Sequence, residues 1–228
     1  MKSVLITGGT VRLGKVIAER LRAEGWRVIT SSHRPDAGAD IIVDLAEPMG
    51  AAKLYAAALQ MLDGTPPDAL VNNAALFTGD PAAITAVNLE APKKLTMLMA
   101  GRETGVGAVV NVLDSKIIND LRCDAICHRS IGASEHPSKY GWSKLELLDW
   151  TKKAAMQFAA TLRVNGVAPG PVMAPTEVHE KAGEMLLDRR PTADDVAAAV
   201  SYLLGAEATT GAIIPVDAGQ HLVEGRRT

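Results

Sequence analysis

The chain has 228 residues, a length that suits one large domain or two small ones. Its formal net charge of −2 gives no reason to expect a general affinity for nucleic acid or for membrane surfaces. Apolar residues make up 47% of the chain but aromatic residues only 4%, so Ala, Val, Leu and Ile must fill the core. This mixture favours helices packed on a parallel sheet over a β-sandwich.

The cysteine content and the first residues of the chain indicate in which cellular compartment the protein is expected. The two cysteines, Cys123 and Cys127, do not make a disulfide framework, which favours a reducing environment. The first strand-like run begins at Ser3 and leaves no room for a signal peptide. No apolar run approaches the length of a transmembrane span. We therefore expect a cytoplasmic protein.

Short β-rich runs alternate with helical patterns along the whole chain. In chain order we expect a strand at 3–7, a helix at 13–23, strands at 26–31 and 40–43, a helix at 48–62, a strand at 69–71, a helix at 81–100, a strand at 108–113, a helix at 139–160, a strand at 161–167, a helix at 192–204 and a strand at 212–216. This alternation and the right-handed crossover rule predict one doubly wound, Rossmann-type α/β domain over residues 1–228.

Two irregular stretches, 115–138 and 170–184, interrupt the alternation. Both follow strands on the carboxyl edge of the predicted sheet, where such folds bind ligands, and long loops in compact domains are more often functional than idle. The first stretch contains Cys123, Cys127 and His128. Two thiols and one imidazole within a single loop are too few to predict a zinc site, so we expect no metal.

A glycine-rich turn lies between the first strand and the first helix, in the run Thr7-Gly8-Gly9-Thr10-Val11-Arg12-Leu13-Gly14. Glycines at such a turn let the backbone approach a pyrophosphate that sits on the helix N-terminus. A plain strand-to-helix turn is the alternative. If a dinucleotide binds here, its expected contacts are Gly8, Arg12, Leu13 and Gly14.

The end of the second strand indicates which dinucleotide would bind. NAD enzymes usually place Asp or Glu there, whereas this chain has Ser31-Ser32-His33-Arg34. The guanidinium of Arg34 matches a 2′-phosphate bidentately, and Arg12 adds a second positive charge near it. The alternative is that Arg34 is a solvated loop residue. We expect NADP(H), with His33 and Arg34 among its ligands.

Two further strand ends carry polar side chains. Asp44, which closes the third strand, is placed to accept a hydrogen bond from an adenine amino group or, alternatively, to cap the approach to the next helix. Asn73 and Ala74 end the fourth strand. The small residue lets a cofactor lie against the strand end, and Asn73 is suited to brace the backbone of neighbouring strands.

Tyr140 and Lys144 stand one helical turn apart in Tyr140-Gly141-Trp142-Ser143-Lys144. A phenol with a pKa near 10 is a poor acid at pH 7, and a nearby ammonium group lowers that pKa by stabilising the phenolate. The pair is therefore suited to exchange a proton with a carbonyl or alcohol substrate.

Taken together, these motifs resemble the short-chain dehydrogenase/reductase family. They stand in that family's order and span almost the whole chain: the glycine turn, Asn72-Asn73-Ala74, Asn88, Tyr140 with Lys144, Val167-Ala168-Pro169-Gly170, and Thr210-Gly211 with Val216-Asp217. The resemblance implies a sheet of seven parallel strands flanked by helices. It also implies a serine–tyrosine–lysine–asparagine active site.

The resemblance assigns roles to individual residues. Asn88 would organise water and the lysine, Tyr140 would be the acid, and Lys144 would hold the nicotinamide ribose. Three residues would lie beside the nicotinamide, namely Pro169, Gly170 and Val172. The family further implies a homotetramer or homodimer, formed through the helix at 139–160 and the last strand, that acts on a small-molecule substrate.

Three departures from the general family pattern are similar to those of the pteridine reductases. Arg12 replaces a glycine, Asp114 replaces the serine, and Phe77 stands just after the fourth-strand motif. In that branch a flat pterin or folate ring lies between the aromatic side chain and the nicotinamide. By this resemblance Phe77 would stack on the substrate, Asp114 would relay a proton to Tyr140, and Arg12 would bind both phosphate and the pterin edge.

Several alternatives remain open. Phe77 is also compatible with a loop aromatic packed on the core, and Ser115 rather than Asp114 is the other candidate to assist Tyr140. The insert at about 115–138 is roughly twice as long as the family usually has, which leaves the substrate open. The usual cofactor-binding Thr is Ala174 here, with Thr176 as a substitute. The alternative functions are reduction or oxidation of another carbonyl or alcohol, and a non-catalytic NADP-binding regulator.

Overall fold

The computed structural model describes residues 1–103, 105–118, 138–172 and 185–223. The strands in this part of the chain are β1 (Ser3–Thr7), β2 (Arg27–Ser32), β3 (Ile41–Ile42), β4 (Ala69–Asn72), β5 (Gly107–Val112), β6 (Leu162–Pro169) and β7 (Ile213–Val216). The α-helices are α1 (Arg12–Ala23), α2 (Gly50–Met61), α3 (Pro81–Thr85), α4 (Ala91–Ala100), α5 (Lys139–Gln157), α6 (Ala193–Gly205) and α7 (Gln220–Val223).

The seven strands form one sheet in the order β3-β2-β1-β4-β5-β6-β7, and every pairing is parallel. The chain starts in the middle of the sheet, runs outward to β3, and then returns past β1 to β4. This reversal confirms the predicted doubly wound fold. It also opens a crevice at the carboxyl ends of β1 and β4, where folds of this type bind their ligands.

The sheet is buried on both faces, which explains why its central strands are continuous apolar runs. All five residues of β1 and all six of β5 are buried. Helices α1 and α6 pack against each other over one face, and α2, α4 and α5 cover the other. A third, smaller cluster around Leu147 and Leu148 of α5 supports the carboxyl end of β5, directly below the candidate site.

The helix predicted at 81–100 is in fact divided. Helix α3 ends at Thr85, a π-helical turn spans Ala86–Glu90, and α4 begins at Ala91. Single π turns are uncommon and often mark functional positions. Asn88 stands in the middle of this turn with its side chain completely buried and hydrogen-bonded.

Several other predicted boundaries were wrong by a few residues. The strand predicted at 40–43 shrinks to Ile41–Ile42, and the helix predicted at 48–62 begins at Gly50, because a turn from Glu47 to Gly50 comes first. The helix predicted at 139–160 ends at Gln157, where Phe158 closes its last turn. Tertiary packing fixes such ends, and periodicity alone cannot.

The helix predicted at 192–204 is confirmed as α6, and Thr192 is its N-cap. Thr192 accepts a hydrogen bond from the Asp195 backbone N–H, and the Asp195 carboxylate accepts one from the Thr192 backbone N–H. Within the described ranges, none of the helices is both long and apolar enough to cross a membrane.

Candidate active site

The glycine turn joins β1 to α1 in the shape expected of an anion-binding helix start. Gly8 adopts a positive φ of 64°, and a Cβ at Gly14 would overlap the Gly8 carbonyl group. No acidic side chain occupies the first turn of α1, so its free N–H groups and positive dipole end remain available to an anion. Arg12 also adopts a positive φ, 49°, which explains why glycine is the usual residue at this position in the family.

Asn73 braces this turn as the sequence predicts. Its Nδ2 donates to the carbonyl oxygens of Thr7 and Gly8, at 3.0 and 3.1 Å. The Thr7 hydroxyl in turn accepts hydrogen bonds from the backbone N–H groups of Asn73 and Ala74. The ends of β1 and β4 are thus tied together on both sides of the crevice, and Ala74 lies against Gly8.

A polar cleft of about 150 Å³ opens beside the turn, between α1 and the loop after β2. Its lining includes the basic residues Lys15 and Arg22 and one acid, Glu19. The Thr10 hydroxyl is buried at this turn and has no hydrogen-bond partner among the described residues. A buried hydroxyl without a partner is costly, so its position favours a polar ligand in the turn.

Arg34 reaches solvent just beyond β2, but its guanidinium already has a partner. It donates to both carboxylate oxygens of Asp36, with Nε–Oδ1 at 3.3 Å and Nη2–Oδ2 at 3.2 Å. Asp36 raises the pKa of Arg34, and Arg34 lowers the pKa of Asp36. His33 beside it is exposed. The sequence analysis missed Asp36, which is the first acid after the strand.

Asp44 caps the turn that leads to α2, because its Oδ1 accepts a hydrogen bond from the Ala46 backbone N–H at 2.8 Å. This is the helix-approach alternative raised by the sequence. The contact with an adenine amino group remains a prediction.

Tyr140 and Asp114 meet across the crevice. The phenolic hydroxyl donates to Asp114 Oδ2 at 3.1 Å, while Oδ1 of the same carboxylate accepts the Lys116 backbone N–H at 2.9 Å. Tyr140 stands in the first turn of α5, whose start is capped by the Ser138 hydroxyl. Ser115, the alternative partner, is buried within its own short 3-10 turn. The described geometry therefore pairs Asp114 with the phenol.

This pairing corrects one expectation about Tyr140. The sequence predicted that Lys144 lowers the pKa of the phenol. Instead, burial and then the negative charge and hydrogen bond of Asp114 raise the pKa of Tyr140 well above its usual value. A phenol that donates to a carboxylate resists ionisation, because the phenolate would face a second negative charge. At neutral pH Tyr140 is therefore a proton donor.

Lys144 lies completely inside the protein, one turn along α5 from Tyr140. Its Nζ donates to the Val112 carbonyl oxygen at 2.7 Å and lies 5.8 Å from the centroid of the Tyr140 ring. Burial lowers the pKa of Lys144 to about 8, and the charge of Asp114 opposes that shift. The ammonium group is thus held at the end of β5, on the same side as the phenol.

Asn88 does not contact Lys144 through its side chain. Its Oδ1 accepts the Leu76 backbone N–H at 2.7 Å, and its Nδ2 donates to the Leu76 carbonyl oxygen at 2.9 Å and to Ser143 Oγ at 3.1 Å. Both amide hydrogens are therefore in use. The role predicted for Asn88, the organisation of water and the lysine, remains a prediction and would have to pass through its backbone.

Phe77 packs on the ring of Tyr140 and not on the hydrophobic core. The two ring centroids are 4.8 Å apart at an interplanar angle of 59°, and 66% of Phe77 is exposed. The alternative that Phe77 is a core aromatic is therefore wrong. An exposed aromatic face therefore lies next to a proton-donating phenol.

The loop after β6 forms the next part of the crevice. Pro169 ends the strand, and the Gly170 backbone N–H donates to the Val216 carbonyl oxygen of β7. A Cβ at Gly170 would overlap Asp217, so the backbone can pass this point only with glycine. Val172 packs partly against the apolar face under α1 and α6.

Some predicted positions lie outside the described residues, namely Cys123, Cys127, His128, Ala174, Thr176 and most of the 115–138 insert. Elsewhere in the described chain, no three His, Cys, Asp or Glu side chains are grouped to hold a metal ion. The sequence analysis also missed Ser143. Its only signal was its place inside the Tyr140-Gly141-Trp142-Ser143-Lys144 run.

The chain belongs to the short-chain dehydrogenase/reductase family. Residues 11–221 match a family model described as enoyl-(acyl carrier protein) reductase, and the match covers the glycine turn from Val11 onward, Tyr140 and Lys144. The doubly wound seven-stranded sheet and the order of the motifs agree with this assignment.

Within the family, the chain is similar to several oxidoreductases. The crystal structure of FolM alternative dihydrofolate reductase 1 from Brucella canis, complexed with NADP, is 28% identical with a TM-score of 0.80 and covers 97% of this chain and 94% of that one. Pteridine reductase 1 of Leishmania tarentolae is 27% identical over 96% of both chains. Glucose 1-dehydrogenase 2 of Bacillus subtilis is also 27% identical and covers 97% of this chain and 95% of its own.

Proposed function

We propose that the protein is an NADPH-dependent reductase of a flat pterin- or folate-like ring. The observation that carries the proposal is the hydrogen bond from Tyr140 to Asp114 with the exposed Phe77 ring packed beside it. The similarity to a pteridine reductase and to an NADP-bound alternative dihydrofolate reductase supports the same substrate class.

The residues of the crevice fit a phosphorylated dinucleotide. The braced glycine turn offers backbone N–H groups to a pyrophosphate, and the buried Thr10 hydroxyl has no hydrogen-bond partner in the described part of the chain. Arg12 and Arg34 would bind phosphate groups, with His33 beside them. Two further residues would hold the adenine and the ribose, Asp44 and Lys144. Gly8, Leu13, Gly14, Asn73, Ala74, Pro169, Gly170 and Val172 complete the proposed contacts.

The residues of this chain would handle the proton. When bound, NADPH supplies a hydride to the ring carbon of a C=N bond. The Tyr140 O–H would donate its proton to the ring nitrogen, so that the bond gains one hydride and one proton. Water would then return a proton to the phenolate through the Asp114 carboxyl group, part of which faces solvent. The buried Lys144 ammonium group limits the negative charge that accumulates at this point.

Phe77 would select the shape of the substrate. A bicyclic ring can stack on an aromatic face, whereas a small aliphatic ketone cannot use that face. Arg12 would bind the polar edge of the ring. Reduction or oxidation of another carbonyl or alcohol is the second candidate function, because the Tyr140–Lys144 arrangement can serve either and the chain is also similar to a glucose dehydrogenase.

The test is a turnover panel with the purified protein. NADPH oxidation is measured with dihydrobiopterin, dihydrofolate and a set of small ketones, and with NADH in place of NADPH. The proposal predicts turnover of at least one pterin or folate. Turnover of ketones alone would favour the second candidate. Cofactor binding without any turnover would favour the third alternative, a regulator that binds NADP.

We further propose that the protein acts as a homodimer or homotetramer in the cytoplasm. Strand β7 is half-buried and, among the described strands, pairs only with β6, so it would offer a sheet edge to a second copy. The long helix α5 is the other expected contact. Sedimentation equilibrium tests the assembly, and a monomer at micromolar concentration would contradict it. Cell fractionation tests the location.

A further inference from the structure

A chain of buried and partly buried hydrogen bonds joins the loop that carries Phe77 to the helix that carries Tyr140. It runs from the Leu76 backbone through the Asn88 amide to Ser143 Oγ, which donates to the Tyr140 carbonyl oxygen at 2.7 Å. The side chains of Asn88 and Ser143 are both completely buried. The two ends of this hydrogen-bond chain are therefore next to the two contacting rings.

The Phe77 ring is not fixed by dense packing of its own. Phe77 is 66% exposed, so its position depends on the backbone that precedes it. The Asn88 side chain bonds both the backbone N–H and the carbonyl oxygen of Leu76. Two hydrogen bonds to one residue restrict translation and rotation of the loop. Among the hydrogen bonds of the described residues, the one to Ser143 links the Asn88 side chain to α5.

We propose that Ser143 is a positioning residue that sets the spacing between Phe77 and Tyr140, and with it the fit of a ring substrate that it never touches. The hydroxyl both accepts from Asn88 and donates to Tyr140, so no other atom in the described network can replace it. The effect of Ser143 on substrate binding rests on the proposed ring substrate. The coupling between the Phe77 and Tyr140 rings does not depend on that substrate.

The coupling can be measured without any substrate. The chain contains only two phenylalanines, Phe77 and Phe158, so protein labelled with 4-fluorophenylalanine gives two ¹⁹F resonances. Phe77→Leu assigns them. Phe158 packs edge-on against Trp150 away from the crevice and serves as an internal reference. We expect Ser143→Ala to move the Phe77 resonance toward its value in denatured protein and to leave the Phe158 resonance in place.

Ser3→Ala is the matched control. Ser3 is also buried, and its hydroxyl also donates to a polar side chain, Asp68, but at the opposite end of the sheet. The Ser3→Ala variant should leave the Phe77 and Phe158 resonances unchanged. An unchanged Phe77 resonance in Ser143→Ala would overturn the proposal. If Ser143→Ala disturbs both resonances through misfolding, Ser143→Cys decides, because the thiol fills similar space but bonds weakly and should give a smaller shift of Phe77 alone.

A double-mutant cycle tests the functional consequence. If Ser143 acts through Phe77, Ser143→Ala should weaken binding of a pterin by about fivefold in the wild-type background and have no further effect in Phe77→Ala. Additive losses would show that Ser143 acts elsewhere. A shifted Phe77 resonance together with no pterin binding would support the coupling and reject the proposed substrate, so the two failures are distinguishable.

Discussion

Tyr140 donates a hydrogen bond to Asp114 across 3.1 Å, from the first turn of α5 to the loop after β5. The contact makes the phenol a weaker acid in the free protein, although Lys144 stands one turn away. It also connects the phenol to a carboxylate that is partly exposed to solvent. A proton donor with its own path for reprotonation suits a reductase, in which each turnover consumes one proton.

Removal of the phenolic hydroxyl should abolish most catalysis and spare cofactor binding. We expect Tyr140→Phe to lower turnover by on the order of 10²–10⁴, the usual contribution of general acid–base catalysis. The NADPH dissociation constant, from fluorescence titration, should change little. Tyr202→Phe is the control, because Tyr202 is 61% exposed on α6. Near wild-type turnover of Tyr140→Phe would mean that another group, for instance in the 115–138 insert, donates the proton.

The pH dependence should report the Tyr140–Asp114 contact. Asp114 raises the pKa of Tyr140, so Asp114→Ser should lower it. Tyr140 acts while protonated, and a lower pKa means that it loses its proton sooner as the pH rises. The alkaline limb of the pH–rate profile of Asp114→Ser should therefore move to lower pH. If the alkaline limb stays in place or moves to higher pH, Asp114 does not raise the pKa of the group that donates the proton.

The cofactor preference should depend on the Arg34–Asp36 pair. We expect NADPH to bind about tenfold or more tightly than NADH, which corresponds to about 1.4 kcal/mol. Arg34→Ala should erase most of this preference. Asp36→Asn should increase it, because the carboxylate occupies the same two guanidinium donors that a 2′-phosphate would use. Calorimetry with both cofactors measures this, and equal affinities of the wild type would refute the assignment.

Phe77 should matter for flat substrates alone. Phe77→Ala should weaken a bicyclic ring by roughly 1–3 kcal/mol, the scale of base stacking on aromatic side chains, and leave KM for a small ketone nearly unchanged. Val106→Ala provides the control, because Val106 is also exposed and apolar but lies before β5, at the opposite edge of the sheet. Equal effects on both substrates would indicate that Phe77 only stabilises the loop.

The sequence predicted the architecture well because its signals are local. The apolar strand runs and the glycine turn each depend on a few neighbouring residues, and their order gives the doubly wound sheet. The π turn at Asn88 was missed because an extra residue per turn leaves the apolar periodicity almost intact. It is held by hydrogen bonds to Leu76 and Ser143, which are distant in sequence.

The same distinction holds for the candidate site. The sequence predicted that Tyr140 and Asp114 both belong to the site, and the two side chains do meet. The predicted direction of the Tyr140 pKa shift was wrong. The sign depends on the burial of the hydroxyl and then on which charge lies closest to it, and only the fold buries Tyr140 and places Asp114 there. Asp36 was missed for a related reason, because an acid two residues past Arg34 becomes relevant only when the loop turns it back onto the guanidinium.

Binding of a pterin to the NADPH complex is the most direct test of the proposed function. Isothermal titration calorimetry of the NADPH-saturated protein with dihydrobiopterin, and separately with dihydrofolate, measures it without depending on turnover. A reductase with the Phe77 wall and the Tyr140–Asp114 donor should bind at least one of them with a dissociation constant on the order of micromolar, equivalent to about −8 kcal/mol. No detectable binding at about millimolar ligand, which corresponds to weaker than about −4 kcal/mol, would contradict the assignment of a pterin-like substrate.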